Sequence, residues 1–194
     1  LLRQPHFASE VALPLHPRGA HLNAPVALLT NGIGGMARIC VDLGAVKSKY
    51  DCVLGANLHP TVPVDRHIFV KRLRLWGNAG RFITPLDAAN LQSFAPGPPA
   101  RWEFASIRGD GQTARIEVKA DMLEGKNTTI LRFELLDGYP FPPSDTSVTV
   151  RLDLEDRPGH ADAAVDVARV ARLTALVEQD DDRLDSLGLE HRDQ

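Results

Sequence analysis

A glycine-rich stretch near the N-terminus has the residue types and the spacing of a phosphate-binding turn. Residues 30–37 read TNGIGGMA and follow the apolar run PVALL at residues 25–29. An apolar strand followed by Gly-x-Gly-x-x-Ala is typical of a dinucleotide-binding turn, which also needs an acidic residue about 20 positions further on. Asp51 lies 19 residues after Gly32 and could fill that role. The stretch therefore raises the hypothesis of a dinucleotide-binding enzyme domain.

The rest of the chain does not continue as a dinucleotide-binding fold requires. Such a fold alternates strands and helices and places the acidic residue at the end of its second strand. Asp51 instead precedes the apolar run CVLGA, and no clear helical pattern follows before about residue 160. Gly32, Gly34 and Gly35 also suit a tight structural turn, because glycine accepts a positive φ and lets another strand pass closely. We favour the structural turn and keep the dinucleotide-binding domain as an alternative.

The titratable and nucleophilic residues do not form a recognisable catalytic or metal-binding set. Ser48 lies near Asp51 and His67 in the sequence, but no Gly-x-Ser-x-Gly motif is present to expose a nucleophile. The histidines lack the spacing of helical metal ligands, and two cysteines, Cys40 and Cys52, are too few for a zinc site or a disulfide framework. We therefore predict no catalytic residue, no metal site and no cofactor. We expect both cysteines to be reduced and buried.

The composition of the chain is that of an ordinary globular protein. Of its 194 residues, 43% are hydrophobic and 24% are charged, and the net charge is −3. Because the sequence has neither a basic stripe nor a long apolar run, we expect no nucleic-acid partner and no membrane span. The sequence begins without methionine and without the features of a signal peptide, as expected for a trimmed product or a piece of a longer chain. We predict a cytoplasmic location from the reduced cysteines.

Much of the chain from Met36 to Glu155 alternates apolar and polar residues with a period of two. Leu73 and Leu75 alternate with arginines in KRLRLW, and the runs ARIEVKA, TILRFELL and SVTVRLDLE repeat the pattern. Such alternation is typical of half-buried strands in antiparallel sheets. Turn residues separate the runs into about eight or nine strands. We therefore predict a mainly β fold, an antiparallel β-sandwich over residues 1–157.

The pattern changes after Pro158-Gly159. Residues 160–187 contain no glycine or proline and are rich in alanine, leucine and arginine. Their apolar side chains fall on one helical stripe, which consists of Val167, Val170, Leu173, Leu176 and Val177. We predict a C-terminal amphipathic helix within residues 158–194. It could serve as a linker or docking helix, or it could pack on the domain's own sheet.

Four segments carry a resemblance to a known family. They are LLTNGIGGMA at residues 28–37, KSKYDCVLGANL at residues 47–58, PVDRHIFVKRL at residues 63–73 and GKNTTILR at residues 125–132. In this order they resemble the N-terminal domain of bacterial and archaeal glycogen debranching enzymes, the amylo-α-1,6-glucosidase family, over about residues 28–137. The chain departs from the family pattern at Asp51 and Cys52, which stand where the family has His-Gly.

The resemblance implies a β-sandwich that is joined, in the parent enzymes, to a helical (α/α)₆ barrel carrying the acidic residues that cleave the α-1,6 branch. Hydrolysis of a glycosidic bond needs two carboxyl groups that flank it. Nothing in the sequence pairs the candidate carboxylates of this chain, which are Asp42, Asp51, Asp65, Asp87 and Glu103. We therefore expect a non-catalytic domain that supports α-glucan recognition or packs against a catalytic barrel. The alternative is a structural or protein-interaction module that docks through its C-terminal helix.

Sugar binding is the site hypothesis that follows from this resemblance. Sugar rings stack on exposed aromatic side chains through their C–H faces, while planar polar side chains bind the hydroxyl groups. Trp76 and Trp102 are the only tryptophans, and each is expected at a strand end beside a turn. The predicted carbohydrate-binding residues are these two tryptophans and the polar residues near them, Arg74, Asn78, Arg101 and Glu103. The alternative is that both tryptophans pack in the core at the edge of the sandwich.

Overall fold

A computed structural model describes residues 25–59, 61–79, 81–107, 113–136 and 146–160. Within these ranges the chain forms ten strands and no helix. The strands are β1 (Val26–Thr30), β2 (Met36–Cys40), β3 (Cys52–Asn57), β4 (Arg66–Ala79), β5 (Phe82–Pro85), β6 (Leu91–Ala95), β7 (Ala100–Ile107), β8 (Thr113–Met122), β9 (Thr129–Leu135) and β10 (Thr146–Pro158). The prediction of a mainly β fold is confirmed.

The strands form two antiparallel sheets that share one hydrophobic core. The six-stranded sheet has the order β1-β2-β3-β4-β10. The sixth strand, β5, pairs with the end of the long strand β4, whose first residues pair with β3. The four-stranded sheet has the order β6-β7-β8-β9. Leu73 and Leu75 of the first sheet belong to the same buried cluster as Phe104 and Ile116 of the second. Burial of this apolar surface against the opposite sheet is what holds the two layers together.

The alternation in the sequence determines which side chains enter this core. In β8, every second residue is buried, and the residues between them are exposed or half-buried. In the second half of β4, Leu73 and Leu75 point into the core, whereas Arg72 and Arg74 are half-buried on the opposite face. The register between β4 and β10 shifts next to Asp153 and Leu154, which marks a β-bulge in the long pairing.

The first two strands exclude the dinucleotide-binding alternative. Residues 36–40 form β2, which pairs antiparallel with β1 from Val26↔Cys40 to Thr30↔Met36. The glycine-rich turn therefore closes a β-hairpin, whereas a dinucleotide-binding turn opens into a helix. This alternative is wrong because the alternation of MARIC is that of a strand.

The described residues also bear on two smaller predictions. Cys40 and Cys52 are both free and buried, as expected. The part of the chain that the structure describes contains no helix long and apolar enough to cross a membrane. The predicted C-terminal amphipathic helix falls mainly on residues 161–194, which lie outside the described residues. The domain division at residue 158 therefore stays a prediction.

Candidate functional site

Three asparagines from both sheets form one hydrogen-bonded network at one end of the molecule. Asn31 follows β1, Asn57 ends β3, and Asn127 lies in the turn between β8 and β9. The side-chain amide nitrogen of Asn31 donates to the carbonyl of Lys126 at 2.9 Å and to Oδ1 of Asn127 at 3.1 Å. Asn57 N donates to the same Oδ1 at 3.1 Å, and Asn127 Nδ2 donates to the Asn57 carbonyl at 2.7 Å. We call these three residues the asparagine network.

The asparagine network fixes the glycine turn, residues 31–35. Oδ1 of Asn31 accepts hydrogen bonds from the backbone nitrogens of Ile33 at 3.1 Å and Gly35 at 2.8 Å. Its carbonyl accepts a third from Gly125 N at 2.8 Å. Asn31 is only 1% exposed, so each of these bonds satisfies a group that water cannot reach. Asn31 therefore stabilises the turn through hydrogen bonds within the turn and through hydrogen bonds to the loop between β8 and β9 of the opposite sheet.

The geometry of the turn explains its glycines. Gly32 and Gly34 have φ values of 77° and 96°, which side chains rarely tolerate. A Cβ on Gly34 would overlap with the side chain of Pro63, and a Cβ on Gly35 would overlap with the Asn31 amide. These contacts are with other residues of the chain, and no ligand is needed to account for them. The absence of side chains at Gly34 and Gly35 therefore lets the turn pack closely against its neighbours.

Asn57 fixes the second loop, which joins β3 to β4. Its side-chain nitrogen is within hydrogen-bonding distance of the carbonyls of Ile33 at 2.8 Å and Val62 at 3.0 Å. Its Oδ1 accepts from Asp65 N at 3.3 Å. Arg66 Nε donates to the Gly34 carbonyl at 2.8 Å, which ties the end of this loop to the glycine turn. The segments that carry the family resemblance therefore converge on one place in the fold.

The three loops joined in this way present exposed apolar side chains. Five such side chains are between 40% and 70% exposed, namely Ile33, Leu58, Val62, Val64 and Leu123. We call them the loop-end patch. Sequence reasoning missed both this patch and the asparagine network. The sequence did contain one signal for the network, because three of the four segments that resemble the family each contain one of these asparagines.

The first predicted carbohydrate-binding group lies together on the outer face of the six-stranded sheet. Arg74, Trp76 and Asn78 alternate along β4 and are all half-buried. Asn78 Nδ2 donates to Thr149 Oγ1 on β10 at 2.9 Å, and Arg74 donates to Asp153 Oδ1 at 2.7 Å. Partial burial raises the pKa of Asp153, but the hydrogen bonds from Arg74 and from Arg72 outweigh it and hold that pKa below its usual value. We call Arg74, Trp76 and Asn78 the Trp76 row.

The second predicted group is split between the two sides of its sheet. Trp102 is 1% exposed and donates through Nε1 to the Val41 carbonyl at 3.1 Å. Its ring packs against Phe94, with centroids 5.2 Å apart. Arg101 and Glu103 are half-buried on the opposite face of β7, where Arg115 binds Glu103. The buried ring of Trp102 cannot stack on a sugar, so the prediction of a carbohydrate-binding role for Trp102 is wrong and the residue belongs to the core.

Asp51, the residue that the dinucleotide hypothesis required, is buried inside the protein. Oδ2 of Asp51 accepts from the backbone nitrogens of Lys47 at 2.6 Å and Ser48 at 2.7 Å, and Arg38 forms an ion pair with Oδ1. Cys40 Sγ lies 3.4 Å from the same Oδ2. Asp51 therefore closes the loop before β3, and its oxygens face protein groups.

The other candidate reactive groups have structural surroundings. His67 lies between Asp65, at 3.2 Å, and Asp156, at 3.5 Å. Burial raises the pKa of the Cys52 thiol, which makes that cysteine a weak nucleophile. Among the described residues, no three His, Cys, Asp or Glu side chains cluster in a way that could hold a metal ion.

Comparison with known proteins gives one family. Residues 27–178 match the family model described as glycogen debranching enzyme N terminal. That range contains the glycine turn, all three asparagines and the loop-end patch. No curated protein and no solved structure gives a significant match to the chain.

Proposed function

The chain belongs to the glycogen debranching enzyme N-terminal family, and from that premise we propose that it is a non-catalytic domain that packs against a helical catalytic domain through its loop-end patch. The observation that carries this proposal is the exposure of Ile33, Leu58, Val62, Val64 and Leu123 on loops that the asparagine network holds together.

Exposed apolar side chains that are held in place favour association with a second apolar surface. Val64 is 70% exposed, so a partner that covers it would remove apolar surface from water. Apolar side chains that are exposed together on adjoining loops commonly mark sites of protein contact. The hydrogen bonds from Asn57 to the Ile33 and Val62 carbonyls fix both loops, so binding would cost little additional ordering.

The family premise supplies the kind of partner. The resemblance implies that the acidic residues that cleave the α-1,6 branch are carried by an (α/α)₆ barrel. The helices of such a barrel present apolar stripes at their packing faces, which suit an apolar patch built from loop tips. A domain in this role would position or stabilise the barrel, and the chemistry would remain in the barrel.

The experiment titrates this chain with a purified (α/α)₆ catalytic domain of the same family and measures the heat of binding. We expect Val64→Asp to weaken binding at least about tenfold, or about 1.4 kcal/mol, because a carboxylate would be buried at the contact. Val46→Asp is the matched control, since Val46 is 42% exposed in a different loop. Equal weakening by both variants, or by neither, would contradict docking through the loop-end patch.

A second role, recognition of α-glucan, is favoured by the Trp76 row. Trp76 is half-buried on an outer sheet face, beside Arg74 and Asn78 and opposite Thr149 of β10. A partly exposed indole beside planar polar side chains suits the C–H face and the hydroxyl groups of a glucose unit. The proposal that the chain is non-catalytic has a separate test. Release of glucose from limit dextrin by this chain alone would contradict it.

A further inference from the structure

A groove opens on the outer face of the six-stranded sheet, away from the core and from the Trp76 row. Its volume is about 280 Å³, and it lies where β2, β3 and the first half of β4 meet the end of β10. Met36, Gly55 and Ile68 line it, and they are cross-strand neighbours, because Met36 pairs with Gly55 and Gly55 pairs with Ile68. The middle residue has no side chain, so the row has a gap between Met36, which is half-buried, and Ile68, which is 2% exposed.

Three rings line the groove beside this apolar row. They belong to Tyr50, His67 and His160. Tyr50 and His160 meet edge to face, with centroids 6.0 Å apart and an interplanar angle of 76°. Tyr50 is 38% exposed, so part of its ring is accessible. Rings beside an apolar base are suited to the flat C–H face of a sugar ring.

The charged residues of the lining all carry the same sign. Arg38 and Arg66 line the groove, and no aspartate or glutamate is among the described residues that line it. The partners that hold the two guanidinium groups lie outside the lining: Asp51 pairs with Arg38, and the Gly34 carbonyl accepts from Arg66 Nε. Arg66 uses only its Nε in that bond and is largely exposed, so its terminal nitrogens can face a ligand. Guanidinium groups bind phosphate with two parallel hydrogen bonds.

We propose that this groove binds a small phosphorylated sugar, with the sugar ring against Met36 and the rings of Tyr50 and His160, and the phosphate on Arg66, beside Arg38. The volume suits a ligand at the small end of the usual range for metabolite sites. A neutral sugar would leave Arg66 without an anion, and a bare phosphate would leave Met36 and the exposed part of the Tyr50 ring uncovered. The combination of both features therefore selects a ligand that has a ring and a phosphate.

The test is isothermal titration of the whole chain with three probes: glucose 1-phosphate, glucose and inorganic phosphate. Glucose 1-phosphate is chosen because its ring cannot open. We expect it to bind at least tenfold more tightly than either of the other two probes. Equal affinity for inorganic phosphate would overturn the role of the rings, and equal affinity for glucose would overturn the role of the arginines. No binding of glucose 1-phosphate would overturn the proposal as a whole.

Two variants locate the site. Arg66→Gln should raise the Kd for glucose 1-phosphate at least tenfold, and Tyr50→Ala should raise it several-fold. Arg132→Gln is the matched control, because Arg132 is an exposed arginine on β9 of the other sheet. Thermal unfolding of each variant checks that it is folded. Unchanged binding in folded Arg66→Gln, or equal loss in Arg132→Gln, would overturn the assignment to this groove. Docking through the loop-end patch is tested with different variants and stands or fails separately.

Discussion

Asn127 and Asn57 exchange two hydrogen bonds between the two sheets. Asn57 N donates to Asn127 Oδ1 at 3.1 Å, and Asn127 Nδ2 donates back to the Asn57 carbonyl at 2.7 Å. The side-chain amide of Asn127 thus pairs with a backbone as a neighbouring strand would. Because the same Oδ1 also accepts from Asn31, one side chain connects the ends of β1 and β3 to the turn between β8 and β9.

We predict that Asn127→Ala lowers the free energy of unfolding by about 2–4 kcal/mol, because it leaves buried donors and acceptors of Asn57 and Asn31 without partners. Urea denaturation measures the change. Asn78→Ala is the matched control, since Asn78 forms its two side-chain hydrogen bonds at the surface, and we expect it to cost less than about 1 kcal/mol. Similar losses in both variants would contradict a special role for the asparagine network.

We predict that Gly34→Val and Gly35→Val each destabilise the fold by about 2–4 kcal/mol, because a side chain would overlap with Pro63 or Asn31. The control is Gly97→Val, since a Cβ on Gly97 would meet nothing within 4 Å. The melting temperature of each variant gives the comparison. If the purified chain bound NAD or ATP saturably and the folded variants lost that binding, the turn would be a ligand site after all.

We predict that Asp153 contributes to the loss of stability in acid. Its pKa in the folded protein is held below the ordinary value of 3.8, chiefly because the hydrogen bonds from Arg74 and Arg72 outweigh the effect of partial burial. Its contribution is therefore complete above the pKa of the unfolded state and is lost as the pH falls through the lower, folded pKa.

The measurement is urea denaturation at several pH values between about 5 and 2. The difference in stability between the native chain and Asp153→Asn should shrink as the pH falls through this range. Glu124→Gln, which removes an exposed carboxylate from the β8–β9 turn, is the control. A difference that stays constant with pH would show that the ion pairs of Asp153 do not lower its pKa.

We predict that the chain binds α-glucan weakly through Trp76, with a dissociation constant near the millimolar range. This corresponds to a binding free energy of about −4 kcal/mol. A single stacked ring with hydrogen bonds that compete with water supplies little more. Native electrophoresis through a glycogen gel should show retardation that Trp76→Ala abolishes. Phe133→Ala is the control, because Phe133 is an exposed aromatic on the other sheet. No retardation, or retardation that Trp76→Ala leaves unchanged, would remove the Trp76 row as a glucan site.

Much of the fold could be predicted because strand alternation is a local property. Trp102 shows that the same signal could have predicted more. It alternates with Arg101 and Glu103 and shares its parity with Phe104, so the sequence already indicated the buried face. Trp76 shares its parity with Arg72 and Arg74, which indicated the outer face. The two tryptophans are alike in lying near turn residues, but they differ in their positions in the alternation.

The sequence by itself therefore determined the class of fold, the direction in which strand residues point, and the family. Only the tertiary structure decided which loops meet, because the hydrogen bonds that join the three asparagines to one another connect residues 70 to 96 positions apart. Such bonds depend on how two separate sheets pack, and no local periodicity encodes that packing. For the same reason the loop-end patch and the groove of Tyr50 and Arg66 emerged only when the strands and loops that form them were brought together.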